Sequence, residues 1–166
     1  AVDQLKKLLP ISVEVNDIFF GKGLAYDEAS VKGDTSTTNY VKVTSEKFTS
    51  IKSVKEYAAT VYSADYLSEV YELIFVGVAA ETGEDFIISA IAPRYVEIDG
   101  EFMVDASNKG FSLATEISPD TAKVVKKTPD YITVEVEYSV GGQTSGTLKL
   151  NLVPQDGEWR LDTPTY

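Results

Sequence analysis

With 166 residues, 43% of them hydrophobic, the chain is expected to form one domain around a single core. It has no histidine and no cysteine, so the usual catalytic bases, thiol nucleophiles and soft-metal ligands are missing. Fifteen basic residues against 26 acidic ones give a charge of −11, which repels nucleic acid and acidic lipid surfaces and favours a basic partner.

The first predicted element is a helix, because Leu8, Ile11, Val15, Ile18 and Phe19 recur at steps of three and four. Pro10 should kink or interrupt it, Gly21 and Gly23 should stop it, and the β-branched Val13 and Val15 leave a strand reading open. Residues 27–39, rich in Ser, Thr, Gly and Asp, read as a polar loop, followed by a short extended piece over 40–44. Ser53-Val54-Lys55-Glu56 matches a capping box and predicts a helix start at Ser53. Val54, Tyr57, Ala58, Val61 and Tyr62 follow at helical spacing, then Leu67, Val70, Tyr71 and Ile74, giving two helices or one bent at Ser63. Tyr57, Tyr62 and Tyr71 fall in register with Leu and Val, which marks them as core residues, not a ring-stacking site.

From Arg94 the period becomes two. Val96 and Ile98 alternate with Tyr95 and Glu97, and Phe102 and Val104 with Glu101 and Met103, on either side of Asp99-Gly100. Asp-Gly suits a two-residue hairpin turn in which both residues take positive φ. Further strands are expected over 122–127 and 131–140, the latter with Ile132, Val134, Val136, Tyr138 and Val140 on one face. After Gly141-Gly142 come a strand with Leu148, Leu150 and Leu152 and a last one around Trp159 and Leu161. The expectation is α+β: a curved antiparallel sheet packed against N-terminal helices, in one domain over 1–166.

Few constellations point to chemistry. Glu135 and Glu137 share one strand face at ~7 Å, but i, i+2 acids opposite an apolar face describe a solvated sheet surface better than a glycosidase pair. Arg160 and Asp162 share a face of the last strand and could form a rim ion pair or line a concavity. Glu81, Glu84 and Asp85 surround Thr82-Gly83 without the ligand ladder of a calcium loop. No nucleotide-binding glycine pattern or credible serine nucleophile occurs, so no catalytic residue, metal or cofactor is expected. Glu81, Glu84, Asp85, Asp99 and Glu101 are the candidate contacts for a basic partner, because loops carry recognition and opposite charge steers encounter.

Several of these segments together resemble secreted bacterial domains of the cystatin-like and NTF2-like fold group. They are Phe19-Phe20-Gly21-Lys22-Gly23-Leu24, Tyr40-Val41-Lys42-Val43 on to Phe48, the helix pair 53–74, Tyr95-Val96-Glu97-Ile98-Asp99-Gly100-Glu101 and the closing Asp156-Gly157-Glu158-Trp159-Arg160-Leu161-Asp162. Within that group the chain most resembles the family of the bacterial DL-endopeptidase inhibitor IseA. The resemblance implies a non-catalytic, secreted or cell-envelope-associated protein that docks on cysteine-type cell-wall endopeptidases, partly through negative charge. The opening at Ala1, without an initiator methionine, suggests a processed or trimmed precursor whose signal peptide or lipid anchor would lie upstream. No apolar run is long enough to span a membrane. The fold group implies two alternatives: a module holding a small hydrophobic ligand near Tyr138 and Trp159, and an isomerase or hydrolase using an Asp base with Tyr donors.

Overall fold

The computed structural model describes residues 1–34 and 36–166. Its first helix, α1 (Val2–Phe19), buries Leu5, Leu8, Leu9, Ser12, Val15, Asn16, Ile18 and Phe19 along one stripe, while Ile11 is only half-buried. Pro10 does not interrupt it, contrary to expectation: the helix continues to Phe19. Proline deprives the residue four positions back of its helical donor, and here that residue is Lys6, exposed like Pro10 itself, where solvent can replace the lost bond.

The end of α1 is closed from two directions. Gly23, at φ 81°, donates its N–H to the Asp17 carbonyl at 2.9 Å. The Tyr95 hydroxyl donates to the Ile18 carbonyl at 2.7 Å, and the Arg94 guanidinium donates to the carbonyls of Phe19 and Gly21 at 3.0 and 2.6 Å. Carbonyls that a helix terminus leaves without partners are thus satisfied by side chains from far along the sequence. Beyond α1, Asp27 caps a single 3-10 turn, Glu28–Ser30. Thr35, within the expected polar loop, lies outside the described residues.

The second helix, α2 (Ile51–Ala58), starts earlier than the sequence pattern suggests, and Ser50, not Ser53, is its cap. Ser50 Oγ accepts from the Ser53 N–H at 3.0 Å, and Ser53 Oγ accepts from the Ser50 N–H at 3.1 Å. The reciprocal pair is therefore built from two serines, and Glu56, expected as the acidic partner, faces solvent near Lys52. The third helix, α3 (Ala64–Tyr71), is separate: Ser63 caps it by accepting from the Tyr66 N–H at 3.1 Å. A π-helical turn, Glu72–Val76, extends it and is closed by Gly77 at φ 85°.

The strands form three antiparallel groups. In the first, β1 (Tyr40–Lys42), β4 (Tyr95–Ile98) and β5 (Glu101–Asp105) form a sheet of order β1-β5-β4. Asp99 and Gly100 adopt φ of 53° and 79°, as a two-residue turn between β4 and β5 demands. The second is a ribbon of β2 (Glu81–Thr82) and β3 (Ile87–Ile88). The third is a meander, β6 (Thr115–Lys127), β7 (Ile132–Val140), β8 (Gln143–Gln155) and β9 (Glu158–Leu161), paired in chain order. The hairpin at Asp99-Gly100 therefore pairs with β1 and does not continue into the meander.

The fold is α+β, with α1 packed on the curved sheet. Register shifts in β6 between Ser118 and Lys123 and between Val124 and Lys126 supply local bends, as bulges do. Ile132, Val134, Val136, Leu150, Leu152 and Leu161 from the meander join the α1 stripe, Val54, Leu67, Tyr95, Phe102 and Val104 in the buried core. Tyr62 is 1% exposed, and Tyr57 and Tyr71 pack against the core's edge.

One polar cluster sits inside this apolar set. Asn16 donates to Thr165 Oγ1 at 2.8 Å, the Tyr62 hydroxyl donates to Asn16 Oδ1 at 2.8 Å, and Thr165 Oγ1 donates to Ser12 Oγ at 3.0 Å. The group ties α1 to the end of the chain with its polar atoms paired, which is the condition for burying them at low cost.

Candidate partner-binding surface

Three of the acids singled out as partner contacts, Glu81, Glu84 and Asp85, lie on the β2–β3 ribbon. The ribbon rises from Gly77, where an added Cβ would fall 2.4 Å from the Ile91 carbonyl oxygen, so the two legs approach closely at their base. Val78 and Ile91 then exchange N–H···O bonds of 2.8 Å in both directions. Further out Glu81 pairs with Ile88 and Thr82 with Ile87, and the Gly83 N–H donates to the Phe86 carbonyl at 2.9 Å. A side chain at Gly83 would clash: a Cβ there would fall 2.2 Å from the Phe86 ring, so that ring lies over the glycine.

No residue from 78 to 92 is buried. Ile87 is 80% exposed and Phe86 49%, with Val76, Val78, Ile88 and Ile91 also open to solvent. No third strand pairs with the ribbon among the described residues. Between Glu72 and Pro93 the chain has four acids, Glu72, Glu81, Glu84 and Asp85, and no lysine or arginine. The result is an arm with apolar side chains, an acidic surround and unpaired strand edges. Several large apolar side chains left open on one short arm make it a candidate interaction site, and open edges accept further strands.

Asp99 and Glu101 lie elsewhere, at the β4–β5 turn of the three-stranded sheet. Both are exposed, and Glu101 pairs with Lys42 at 2.8 Å. The five candidate acids therefore divide between two hairpins of different sheets. Sequence reasoning singled out the acids but missed the exposure of Phe86, Ile87 and Ile88. The available signal was two very short apolar runs without a helical or long-strand period, next to an acidic glycine turn.

Tyr138 and Trp159 are not brought together. Tyr138 pairs with Gly146 and Trp159 with Pro154, eight residues apart on β8, or ~27 Å along a strand. They cannot line one small-ligand pocket, because alternation places residues on a face but not at a position along it. Two adjoining grooves lie instead between α1 and the start of β6, sharing Pro10, Val13, Leu113, Thr115 and Thr165, with volumes of about 290 and 410 Å³.

Of the remaining polar candidates, Asp162 lines an open concavity of about 700 Å³ with Lys126, Tyr131, Lys149 and Asn151, as one of the two readings of the Arg160/Asp162 pair expected. Arg160 and Asp162 do not pair with each other: Arg160 donates to the Ala59 carbonyl and Glu158, both at 2.9 Å, and Asp162 accepts a short bond from Ser63. Glu135 lies in cross-strand register with Lys123 and Lys149, and Glu137 with Ser118 and Thr147. Among the described residues no group of three or more carboxylates is placed to hold a metal.

The shifted carboxyls all move downward. Burial pushes Glu14 up, but hydrogen bonds from Lys47 and Tyr57 and the Lys47 charge outweigh it, while hydrogen bonds from Ser36 lower Asp34 and that from Lys6 lowers Asp120. An Asp base beside a Tyr would require the opposite direction. The upward shifts belong to tyrosines and to two paired lysines: burial raises Tyr71 and Tyr95 to about 12, and hydrogen bonds to Asp120 and Glu14 raise Lys6 and Lys47. No protein-family model matches the chain, and no curated protein matches it in sequence.

Proposed function

We propose that this chain is a non-catalytic, extracytoplasmic protein-binding domain that docks its β2–β3 arm on a basic protein. The observation behind this is the exposure of Phe86, Ile87 and Ile88 on an arm that holds acids and no bases. Apolar side chains at the centre of a contact supply affinity, and the surrounding acids speed encounter with a positive surface and select against negative ones. The resemblance noted in the sequence suggests the partner class, a cell-wall DL-endopeptidase, which the arm would obstruct sterically without performing chemistry.

Titration of the chain against a panel of such endopeptidases, following both binding and peptide cleavage, tests the proposal. Binding should be accompanied by inhibition, weaken as salt rises, and fall at least tenfold in Ile87→Ser, the loss of one well-buried apolar contact. Absence of binding across the panel removes the endopeptidase assignment. Unchanged binding by Ile87→Ser removes the arm from the contact.

A further inference from the structure

Arg94 is 2% exposed and has no charged partner. The ion pairs among the described residues are Lys6–Asp120, Lys42–Glu101, Lys47–Glu14, Lys52–Glu56 and Arg160–Glu158. Its Nη1 and Nη2 donate to the Phe19 and Gly21 carbonyls, and its Nε is buried without any acceptor. The negative end of the α1 dipole offsets part of the charge, but a guanidinium has five N–H donors and the carbonyls occupy two. A buried cation left this far from neutral is costly unless something supplies the missing charge and acceptors.

Arg94 also lines a pocket of about 360 Å³, together with Lys22, Gly23, Leu24, Asn108 and Lys109. Gly23 leaves room beside the guanidinium: a Cβ there would fall 2.7 Å from Nη2, and its φ of +81° disfavours any side chain. Lys22 and Lys109 are both exposed, and Lys109 Nζ lies 3.3 Å from the Tyr26 hydroxyl. Three cations thus converge on one pocket of a chain whose net charge is −11, and the single carboxylate in the lining, Glu28, is exposed.

We propose that this pocket binds a small oxyanion, a carboxylate or a phosphate, with the Arg94 guanidinium at its floor and Lys22 and Lys109 at its rim. Two oxygens of a carboxylate or a phosphate match the spacing of the guanidinium fork, and charge-assisted bonds are the strong ones. The site is independent of the β2–β3 arm. Because substituting Arg94 also uncaps α1, the rim residues are the better probes.

Acetate and inorganic phosphate are titrated separately at constant ionic strength, following backbone amides and the Arg94 Nε–H resonance by NMR. Saturable shifts of Arg94 Nε–H and of the Gly23, Leu24 and Lys109 amides are expected with at least one anion, and the anion that saturates identifies its source chemistry. Affinity should fall at least about fivefold in the double variant Lys22→Gln, Lys109→Gln and rise in Glu28→Gln. Non-saturating shifts with both anions overturn the proposal, as does equal affinity in the double variant.

Discussion

Two of the hairpins with acidic, glycine-containing turns, β4–β5 and β2–β3, meet opposite fates. In β4–β5, Tyr95, Phe102 and Val104 are buried, β1 adds a third strand, and the Tyr95 hydroxyl reaches the end of α1. In β2–β3 no strand is added among the described residues, and no side chain from 78 to 92 is buried. Two-stranded ribbons are marginal alone, because a pair of strands has nothing on which to bury its faces. The first hairpin spends its apolar residues on the core, while the second leaves them free for contact with another molecule.

Removing an apolar side chain from each hairpin breaks the comparison most sharply. Phe102→Ala should destabilise the fold by about 3–5 kcal/mol in denaturant titration, since it deletes a large buried ring. Ile87→Ser should stay within about 0.5 kcal/mol of the parent, as exposed substitutions do. Comparable losses from both would mean that the arm belongs to the folded core.

Alkaline pH separates the hairpins by a different lever. Burial holds the Tyr95 hydroxyl at about 12, against about 10 in an unfolded chain. A folded-state value above the unfolded one contributes stability that is complete below pH ~10 and is lost as pH rises toward 12. Between pH 9 and 11 Tyr95 alone should account for a loss of about 1.4 kcal/mol. Tyr95→Phe should reduce the alkaline slope by that amount in denaturation curves measured at both pH values. Ile87→Ser should leave the slope intact, because no tyrosine lies between 78 and 91.

What could be seen in the sequence follows from how local each cause is. Asp99-Gly100 announced its turn because positive φ is a property of those two residues, and Ile132, Val134 and Val136 announced a buried face through alternation. The pairing of β1 with β5 left no local mark, since Tyr40 and Asp105 are 65 residues apart and nothing between them indicates the match. Tyr138 and Trp159 were misjudged for a related reason: alternation fixes a side of the sheet, whereas their separation depends on strand register. Of the candidate site, the acids were visible as charges, but the exposure of Phe86 and Ile87 is a tertiary outcome that hydrophobicity alone points away from. The burial of Arg94 was likewise invisible, because its partners are backbone carbonyls at the end of α1.

The smallest effect tests how the anchored hairpin is joined to the helices. The start of α2 depends on Ser50 and Ser53 holding each other's backbone N–H groups, and the Ile51 N–H donates to Glu97 of β4 at 3.0 Å. Ser50→Ala removes one acceptor and should cost ~1 kcal/mol in thermal or chemical denaturation. Glu56→Gln, which alters only an exposed pair with Lys52, should cost a few tenths of a kcal/mol. The reverse order would place the cap at Ser53. Because Ser50 adjoins the contact with β4, its loss should also speed amide exchange in β4 and β5 while leaving exchange in the β2–β3 arm unchanged, since the arm shares none of that network.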